Sequence, residues 1–402
     1  MRFFIIIVSV ILVSSSQAIC QKIDFQLPQN LSMDIGGTFQ VDYRNISDQG
    51  RADSRFDIRR ARLRIKGDHL SYLTYKLECE LQGNENKRLV DAYGIFEMHP
   101  SLKIQLGQFK TPFSHEWLMD DVSFPFAERS IGFSLQPGRD VGMMIGGELF
   151  NQLLEYRIGA FNGDGTDGSS RGSQKDEPEF ISRLVINPFA LMNIKYFSQF
   201  FAFSFTESRI DTTNIQIKAK STGMIGTQRS LYTLTANTKF GALLDINKRR
   251  RKCLESGLIW GPVAFFAEYQ RFQYTDLEAV RIEKGNASFF SWYASFIVNL
   301  DGSPINFKSS RQEKSSIWQA AFRREHFSGD ANWILDKSFN SVKETDAYSL
   351  ALSWINMPYY RLMADYTYTE LSDPIRIRIN PDGTTEYISS ETSVTIRFQV
   401  NF

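Results

Sequence analysis

The chain has 402 residues, including 33 Phe, 16 Tyr and 6 Trp, with a negative mean hydropathy and a formal net charge of +1. Beyond roughly its first twenty positions no apolar run is long enough for a transmembrane helix, and a charge this close to zero gives no whole-chain attraction for nucleic acid or anionic substrates, so any charge selectivity must be local. Cys20, Cys79 and Cys253 are too few and too scattered for a disulfide framework or a zinc site, and no metal or cofactor motif is present.

Arg2 precedes the apolar run Phe3 to Val13, and Ser16-Gln17-Ala18 offers small residues to a signal peptidase. Residues 1–18 therefore read as a secretory signal peptide and 19–32 as an N-terminal lead-in. Ile19 is a poor residue before a lipidated cysteine, which argues against anchoring at Cys20.

The first strand candidate is Met33 to Arg44. The second, Phe56 to Lys66, alternates Arg60, Arg62 and Arg64 on one face with Ala61, Leu63 and Ile65 on the other. Each arginine facing lipid would cost about 2–4 kcal/mol near the midplane, so the register that turns the row into a lumen is favoured. That register also turns Phe56 and Ile58 inward, which places them near or above a membrane edge. After a turn at Gly67 and Asp68, Leu73 to Leu81 puts Leu73, Tyr75, Leu77, Cys79 and Leu81 outward and Thr74, Lys76, Glu78 and Glu80 inward. Hairpin pairing sets Lys76 near Arg62 and Glu78 near Arg60, either softening the basic row or stiffening the wall as a salt-bridge ladder. Leu89 to Met98 carries Asp91 inward, and Leu102 to Gln108 turns Leu102, Ile104 and Leu106 outward.

A strand then stops at Thr111 and none resumes until about Val141. Pro112, Pro125 and Pro137 oppose a long helix or a central strand, and Glu116, Asp120, Asp121, Glu128, Arg129, Arg139 and Asp140 are interspersed with aromatics. Unstructured stretches of this length inside compact proteins are usually functional, which makes 111–140 the candidate functional segment.

Val141 to Phe150 and Leu154 to Phe161 form the next pair. Asn162 to Glu179 reads as an outer loop whose Asp164, Asp167 and Asp176 lack the spacing of a calcium loop. Ile181 to Asn187 and Met192 to Phe205 follow. The stretch 206–252 reads as one long outer loop with room for a hairpin, and its basic block Lys248 to Lys252 as a solvated surface, with contact to lipopolysaccharide or the drawing-in of anions as alternatives.

From Leu254 to the end the alternation is clean. Leu254 to Trp260 turns at Gly261-Pro262 into Val263 to Tyr269; Phe290, Trp292, Ala294, Phe296 and Val298 share a face of the following strand, and Ile317 to Arg324 places Trp318, Ala320 and Phe322 outward. Tyr348, Leu350, Leu352 and Trp354 share a face over about 20 Å, close to the height of an apolar band between aromatic girdles. Tyr360 to Tyr368 and Val394 to Phe402 complete the series. An alternating strand closed by an aromatic residue resembles the sorting signal read by the outer-membrane assembly machinery, which makes Phe402 the candidate assembly signal. The pattern predicts an all-β, transmembrane antiparallel β-barrel over 33–402 in the bacterial outer membrane, with about 16 strands, or about 18 if 206–252 holds two more.

Several words in this chain, FDIRRARLRIKG, LVDAYGIF, LGQFKTPFSHE, the Glu128-Arg129 pair, GRDVGMMIGG, AFNGDG and ISRLVINPF, resemble the phosphate-selective porin O/P family of outer-membrane channels. The resemblance implies a homotrimer of water-filled channels for small hydrophilic solutes, in which 111–140 folds into the lumen as a constriction loop. It also implies passage of phosphate or other anions along a file of arginines and lysines. The candidate pore-lining residues are Arg60, Arg62, Arg64, Lys76, Glu78, Asp91, Lys110, Arg129 and Arg139. The intermixed acids point to weak or moderate anion preference in place of a high-affinity phosphate site. Outer-membrane lipid, lipopolysaccharide and the assembly machinery are the expected partners. An enzyme is disfavoured: the histidines are His69, His99, His115 and His326, and there is no GxSxG motif. An adhesin or structural barrel working through its outer loops is the competing reading.

Overall fold

A sheet in hydrocarbon must leave no edge, because an unpaired N–H or C=O has no water to turn to; closing the sheet on itself satisfies every strand. In the computed structural model, which describes residues 30–46, 54–82, 89–163, 178–192, 194–209, 217–220, 230–234, 238–305, 316–334, 341–356, 359–379 and 382–402, the chain does this with 16 antiparallel strands. These are β1 (Asp34–Ile46), β2 (Ser54–His69), β3 (Leu73–Glu80), β4 (Leu89–His99), β5 (Leu102–Lys110), β6 (Arg139–Leu149), β7 (Leu154–Phe161), β8 (Glu179–Ile186) and β9 (Phe197–Arg209). A two-stranded sheet of β10 (Ile217–Lys220) and β11 (Ser230–Leu234) stands apart from the barrel. The wall then continues with β12 (Leu243–Trp260), β13 (Val263–Ala279), β14 (Ile282–Asn299), β15 (Ile317–Ser328), β16 (Glu344–Asn356), β17 (Tyr360–Ile379) and β18 (Thr385–Asn401).

The seam pairs β1 with β18 from Thr38 opposite Asn401 to Ile46 opposite Ser393. Phe402 extends it by exchanging backbone hydrogen bonds with Gly37 at 2.8 and 3.1 Å. A Cβ at Gly37 would lie 2.4 Å from the Phe402 ring, so a glycine is required where the last residue docks.

Along the strands, exposed Leu350, Leu352, Phe265, Trp318, Phe322 and Leu106 alternate with buried polar side chains such as Ser349, Glu268, Gln319 and Arg323. The exterior is apolar and the lumen polar, as the alternation predicts. One end carries the short connections 70–72, 100–101, 150–153 and 261–262, the mark of the periplasmic side.

At the opposite mouth the pattern inverts. Phe272, Tyr274, Leu277, Phe289, Phe327, Leu371 and Ile375 point inward and pack with Ile217, Leu231, Tyr232 and Leu234 of the β10–β11 hairpin, with Trp333, and with Ile131 and Leu135. The hairpin fills the mouth on the β12–β18 side.

Three expectations are corrected. The stretch 206–252 is not one loop: β9 runs to Arg209, β12 begins at Leu243, and the basic block lies within a strand, its charges alternating between lumen and exterior. Phe56 and Ile58 do not face inward. Gln40 pairs with Arg60 but Val41 pairs with Ile58, so a bulge at Arg59 reverses the parity, leaving Phe56 at 78 % and Ile58 at 43 % exposure outside. The β2–β3 turn falls at 70–72 instead of Gly67-Asp68, which pairs Arg62 with Glu80, Arg64 with Glu78 and Lys66 with Lys76. The pairing is offset by four residues, an even number, which keeps every side chain on its expected face. The expectations for 1–18, for most of 19–32 and for Asp164, Asp167 and Asp176 fall outside the described residues.

Candidate pore constriction

Between β5 and β6 the chain leaves the wall and crosses the lumen. Ser114 starts a single helical turn, His115–Leu118, by accepting the Trp117 N–H at 3.0 Å, and a short 3-10 turn, Ile131–Leu135, follows the prolines. Glu116 joins the two turns, accepting the Ser130 N–H at 2.8 Å and its hydroxyl at 2.6 Å.

A segment with so little regular structure leaves backbone groups to be satisfied elsewhere, and the barrel wall supplies the partners. Wall carboxylates take its N–H groups: Glu255 accepts from His115 at 2.9 Å, Glu268 from Glu116 at 2.7 Å, Asp365 from Ala127 at 3.0 Å and Glu325 from Ile131 at 2.7 Å. Wall arginines take its carbonyls: Arg183 donates to Phe113 at 3.1 Å, Arg361 to Phe124 at 2.7 Å, Arg397 to Ala127 at 2.8 Å and Arg323 to Glu128 at 3.1 Å. The Ser204 hydroxyl also reaches the Phe113 carbonyl. The loop is held by its backbone from β8 round to β18.

Its acids close the remaining gap toward β1 and β2. Glu128 accepts from Arg44 at 2.9 Å and from Arg59 at 2.9 and 3.1 Å, while Asp121 meets Arg62 at 2.7 Å and Arg60 at 3.2 Å. Burial pushes both carboxyls up, but the surrounding guanidinium groups outweigh it. Arg60, Arg129 and Arg62 hold Asp121 well below the usual carboxylate range, and Arg59, Arg44 and Arg397 bring Glu128 down to about 2.

A cavity of about 240 Å³ lies between the loop and the β1–β7 wall. Arg60, Arg62, Arg64, Lys76, Lys110, Arg139 and Arg157 line it with Glu78, Asp91, Asp120 and Asp121, seven cations against four acids, a formal excess of three positive charges. Lys76 is paired with Asp91 at 2.6 Å and Glu78 at 2.7 Å, Arg139 with Asp91 at 2.8 Å, and Arg62 with Glu80 at 2.9 Å as well as Asp121. Arg64 has no ion-pair partner among the described residues, and its buried Nε has no hydrogen-bond partner. Among the described residues Lys110 donates only to the Met119 carbonyl, at 2.9 Å, and Arg157 has Glu155 no nearer than 3.9 Å. The Trp117 indole lies 5.2 Å from the Lys110 ammonium and 5.3 Å from the Arg139 guanidinium, fixing both cations at the rim.

Eight of the nine pore-lining candidates therefore border one cavity. Arg129 does not. It donates to Asp121 at 2.7 Å and the Met119 carbonyl at 3.0 Å and stacks over Phe124 at 4.7 Å, inside the loop's own core, because a loop this polar needs an internal cation to neutralise its acids. His115 is sandwiched by Phe200 and Phe266 at 4.9 and 4.7 Å, a packing role. Two contributors escaped the sequence reading. Arg157 was legible, since Leu154, Tyr156 and Ile158 share the opposite face; Arg59 was signalled only by the misfit of Phe56 and Ile58.

The family model for phosphate-selective porin O and P matches residues 33–402. Among solved structures, an anion-selective porin from Comamonas acidovorans is 11% identical with a TM-score of 0.55, covering 92% of this chain and 100% of that one. The outer-membrane channel DcaP of Acinetobacter baumannii is 11% identical with a TM-score of 0.55, covering 94% and 99%. The trimer form of OmpT, an outer-membrane protein of Vibrio cholerae, is 9% identical with a TM-score of 0.52, covering 92% and 99%. A search of curated proteins finds no match. At these identities the solved structures speak to the fold.

Proposed function

Because the chain belongs to the phosphate-selective porin O and P family, and is therefore a channel for small hydrophilic solutes in the bacterial outer membrane, we propose that segment 111–138 is its constriction and that the passage beside it prefers anions weakly. The carrying observation is the excess of three positive charges lining the cavity, concentrated at Arg64, Lys110 and Arg157, where pairing with acids is least complete. Lys110 lies directly opposite Arg139 across β5 and β6, and Arg60, Arg62 and Arg64 follow one another along a face of β2 at about 6.5–7 Å, inside the Debye length of about 8 Å, so the fields of such neighbours overlap. The nearby ion pairs dilute that field, which favours modest selectivity over tight capture of phosphate.

The same reading makes the assembled form a homotrimer, like the trimer form of the Vibrio cholerae neighbour, and gives Phe402 the role of assembly signal. Outer-membrane lipid, lipopolysaccharide and the assembly machinery are its partners in the cell. Reversal potentials of the purified protein under a KCl gradient test the selectivity: an anion-favouring potential that grows as salt is lowered supports it, and a zero or cation-favouring potential at low salt overturns it.

A further inference from the structure

The basic block of β12 splits across the wall. Arg249 and Arg251 turn inward, where both reach Glu179 at 2.8 Å, while Lys248, Arg250 and Lys252 turn outward with Leu254, Ser256, Leu258 and Trp260. From Leu254 to Trp260 the outward face covers about 20 Å at strand rise, close to the roughly 25 Å apolar band of such barrels, so Lys252 is the first residue beyond that band on the outer side. Arg271 on β13, just above Tyr269, reaches the same level on the exterior, and Arg209 on β9 lies higher, level with Lys248.

The register makes this cluster costly for an isolated barrel. Lys252 lies directly opposite Arg271, and Lys248 directly opposite Arg209. Like charges in facing positions destabilise a sheet. Within the cluster Glu207 is the acid, meeting Lys248 at 2.6 Å and Arg250 at 2.5 Å, and it leaves the Lys252–Arg271 pair without a counter-charge among the described residues. By contrast, the outward Arg324 of β15 has Asp346 at 3.8 Å.

Directly below the cluster the exterior carries a shallow apolar groove of about 530 Å³. Its floor is the row Ser256, Ala267 and Ala294, which face one another in register across β12, β13 and β14, and Phe203, Tyr269 and Trp292 form its rim. A groove sized for hydrocarbon beneath a crowded set of cations matches a lipid with acyl chains and a phosphorylated headgroup. We propose that the outer surface of β9, β12 and β13 is a binding site for the phosphorylated glycolipid of the outer leaflet, lipopolysaccharide, its phosphates on Lys252, Arg271 and Arg250 and an acyl chain over Ala267. The site lies outside the lumen and is independent of which solute the channel passes.

Native mass spectrometry of the full-length barrel in detergent, with bis-phosphorylated and with phosphate-free lipid A, tests this. The wild-type barrel prefers the phosphorylated lipid. Lys252→Gln with Arg271→Gln weakens that lipid by about fivefold per cation removed, about 25-fold together, and leaves the phosphate-free lipid unchanged. Ala267→Trp, which fills the groove, weakens both. Arg271→Glu sets an acid opposite Lys252; it raises the melting temperature without lipid and abolishes the further rise that phosphorylated lipid A gives the wild-type protein. Equal binding of the two lipids by the wild-type barrel overturns the proposal, as does unchanged affinity in the folded double variant. A double variant that changes oligomer size while keeping its lipid affinity also overturns it, marking this face as a contact between copies of the chain.

Discussion

Arg59 and Glu128 form a two-pronged pair, Nε to Oε1 at 2.9 Å and Nη2 to Oε2 at 3.1 Å, that joins the bulge in β2 to the loop in the lumen. The same carboxylate accepts from Arg44 of β1 at 2.9 Å and lies 3.6 Å from Arg397 of β18. One loop acid thus gathers guanidinium groups from both sides of the barrel seam. Removing it with Glu128→Gln leaves Asp42 paired with Arg44 and Arg397 and leaves Arg59 without an ion-pair partner among the described residues. Breaking a buried pair in this way costs about 3–5 kcal/mol. The loop should loosen while the 16-strand ladder persists. The expected result is higher mean conductance and open-channel noise in a barrel that still resists SDS without heating; traces identical to wild type would show that the loop does not depend on this anchor.

The anchor also sets an acid limit. Glu128 lies near 2 in the folded protein against an ordinary 4.5, and Asp121 is likewise depressed. A depressed carboxylate contributes its full stabilisation above the unfolded value and loses it as pH falls through the folded one. For Glu128 that contribution is about 3 kcal/mol. Loss of this anchor should therefore show as a rise in conductance and noise as the pH drops from 4.5 toward 2. Opening already complete at pH 5 would place the controlling titration elsewhere.

Tyr232 of the hairpin is buried to 1 % exposure against Phe289, 4.9 Å between ring centroids, and Phe327, at 6.0 Å. Emptying such a site with Tyr232→Ala costs about 3–5 kcal/mol, the range for large aromatic truncations. The β10–β11 hairpin should then come away from the mouth. Protease added to the outer face of reconstituted protein is expected to cut within 217–234 much faster in the variant than in the wild type. Equal rates would mean that the hairpin is held by something other than this apolar contact.

What the sequence revealed and what it hid both follow from the period of two. Where one face meets hydrocarbon and the other water, as in Tyr348 to Trp354, alternation identifies the strand and its facing together. Above the apolar band that contrast ends. Phe272, Tyr274 and Leu277 point inward to the hairpin and Lys248, Arg250 and Lys252 point outward, so strands β12 and β13 continue where the pattern reads as loop. The facing of Arg60, Arg62 and Arg64 was legible because three lipid-facing arginines are untenable. Their partners were not, since the turn at 70–72 and the bulge at Arg59 shift pairing without changing composition. Arg129 was misplaced for a related reason: a loop's charges carry no periodicity to say which of them face the lumen and which fold into the loop's own core.

Selectivity should follow incompletely paired charge more than the count of arginines. Lys76 and Glu78 lie 2.7 Å apart and both border the cavity, so Lys76→Gln with Glu78→Gln removes one charge of each sign and leaves the excess of three unchanged. Arg64→Gln lowers that excess, and it does so at a side chain with no neighbouring acid in pairing distance among the described residues. A unit charge acting on an ion about 4 Å away in water is worth about 1 kcal/mol, up to about fivefold in local anion concentration, and salt screens it. The anion-to-cation permeability ratio of Arg64→Gln should therefore fall by about two- to fivefold at low ionic strength and by less at 1 M KCl, where the Debye length is about 3 Å. The paired double variant should keep the wild-type reversal potential at both salts. If it instead shifts as far as Arg64→Gln does, the ion-paired network beside β3 sets the selectivity and the unpaired arginine does not.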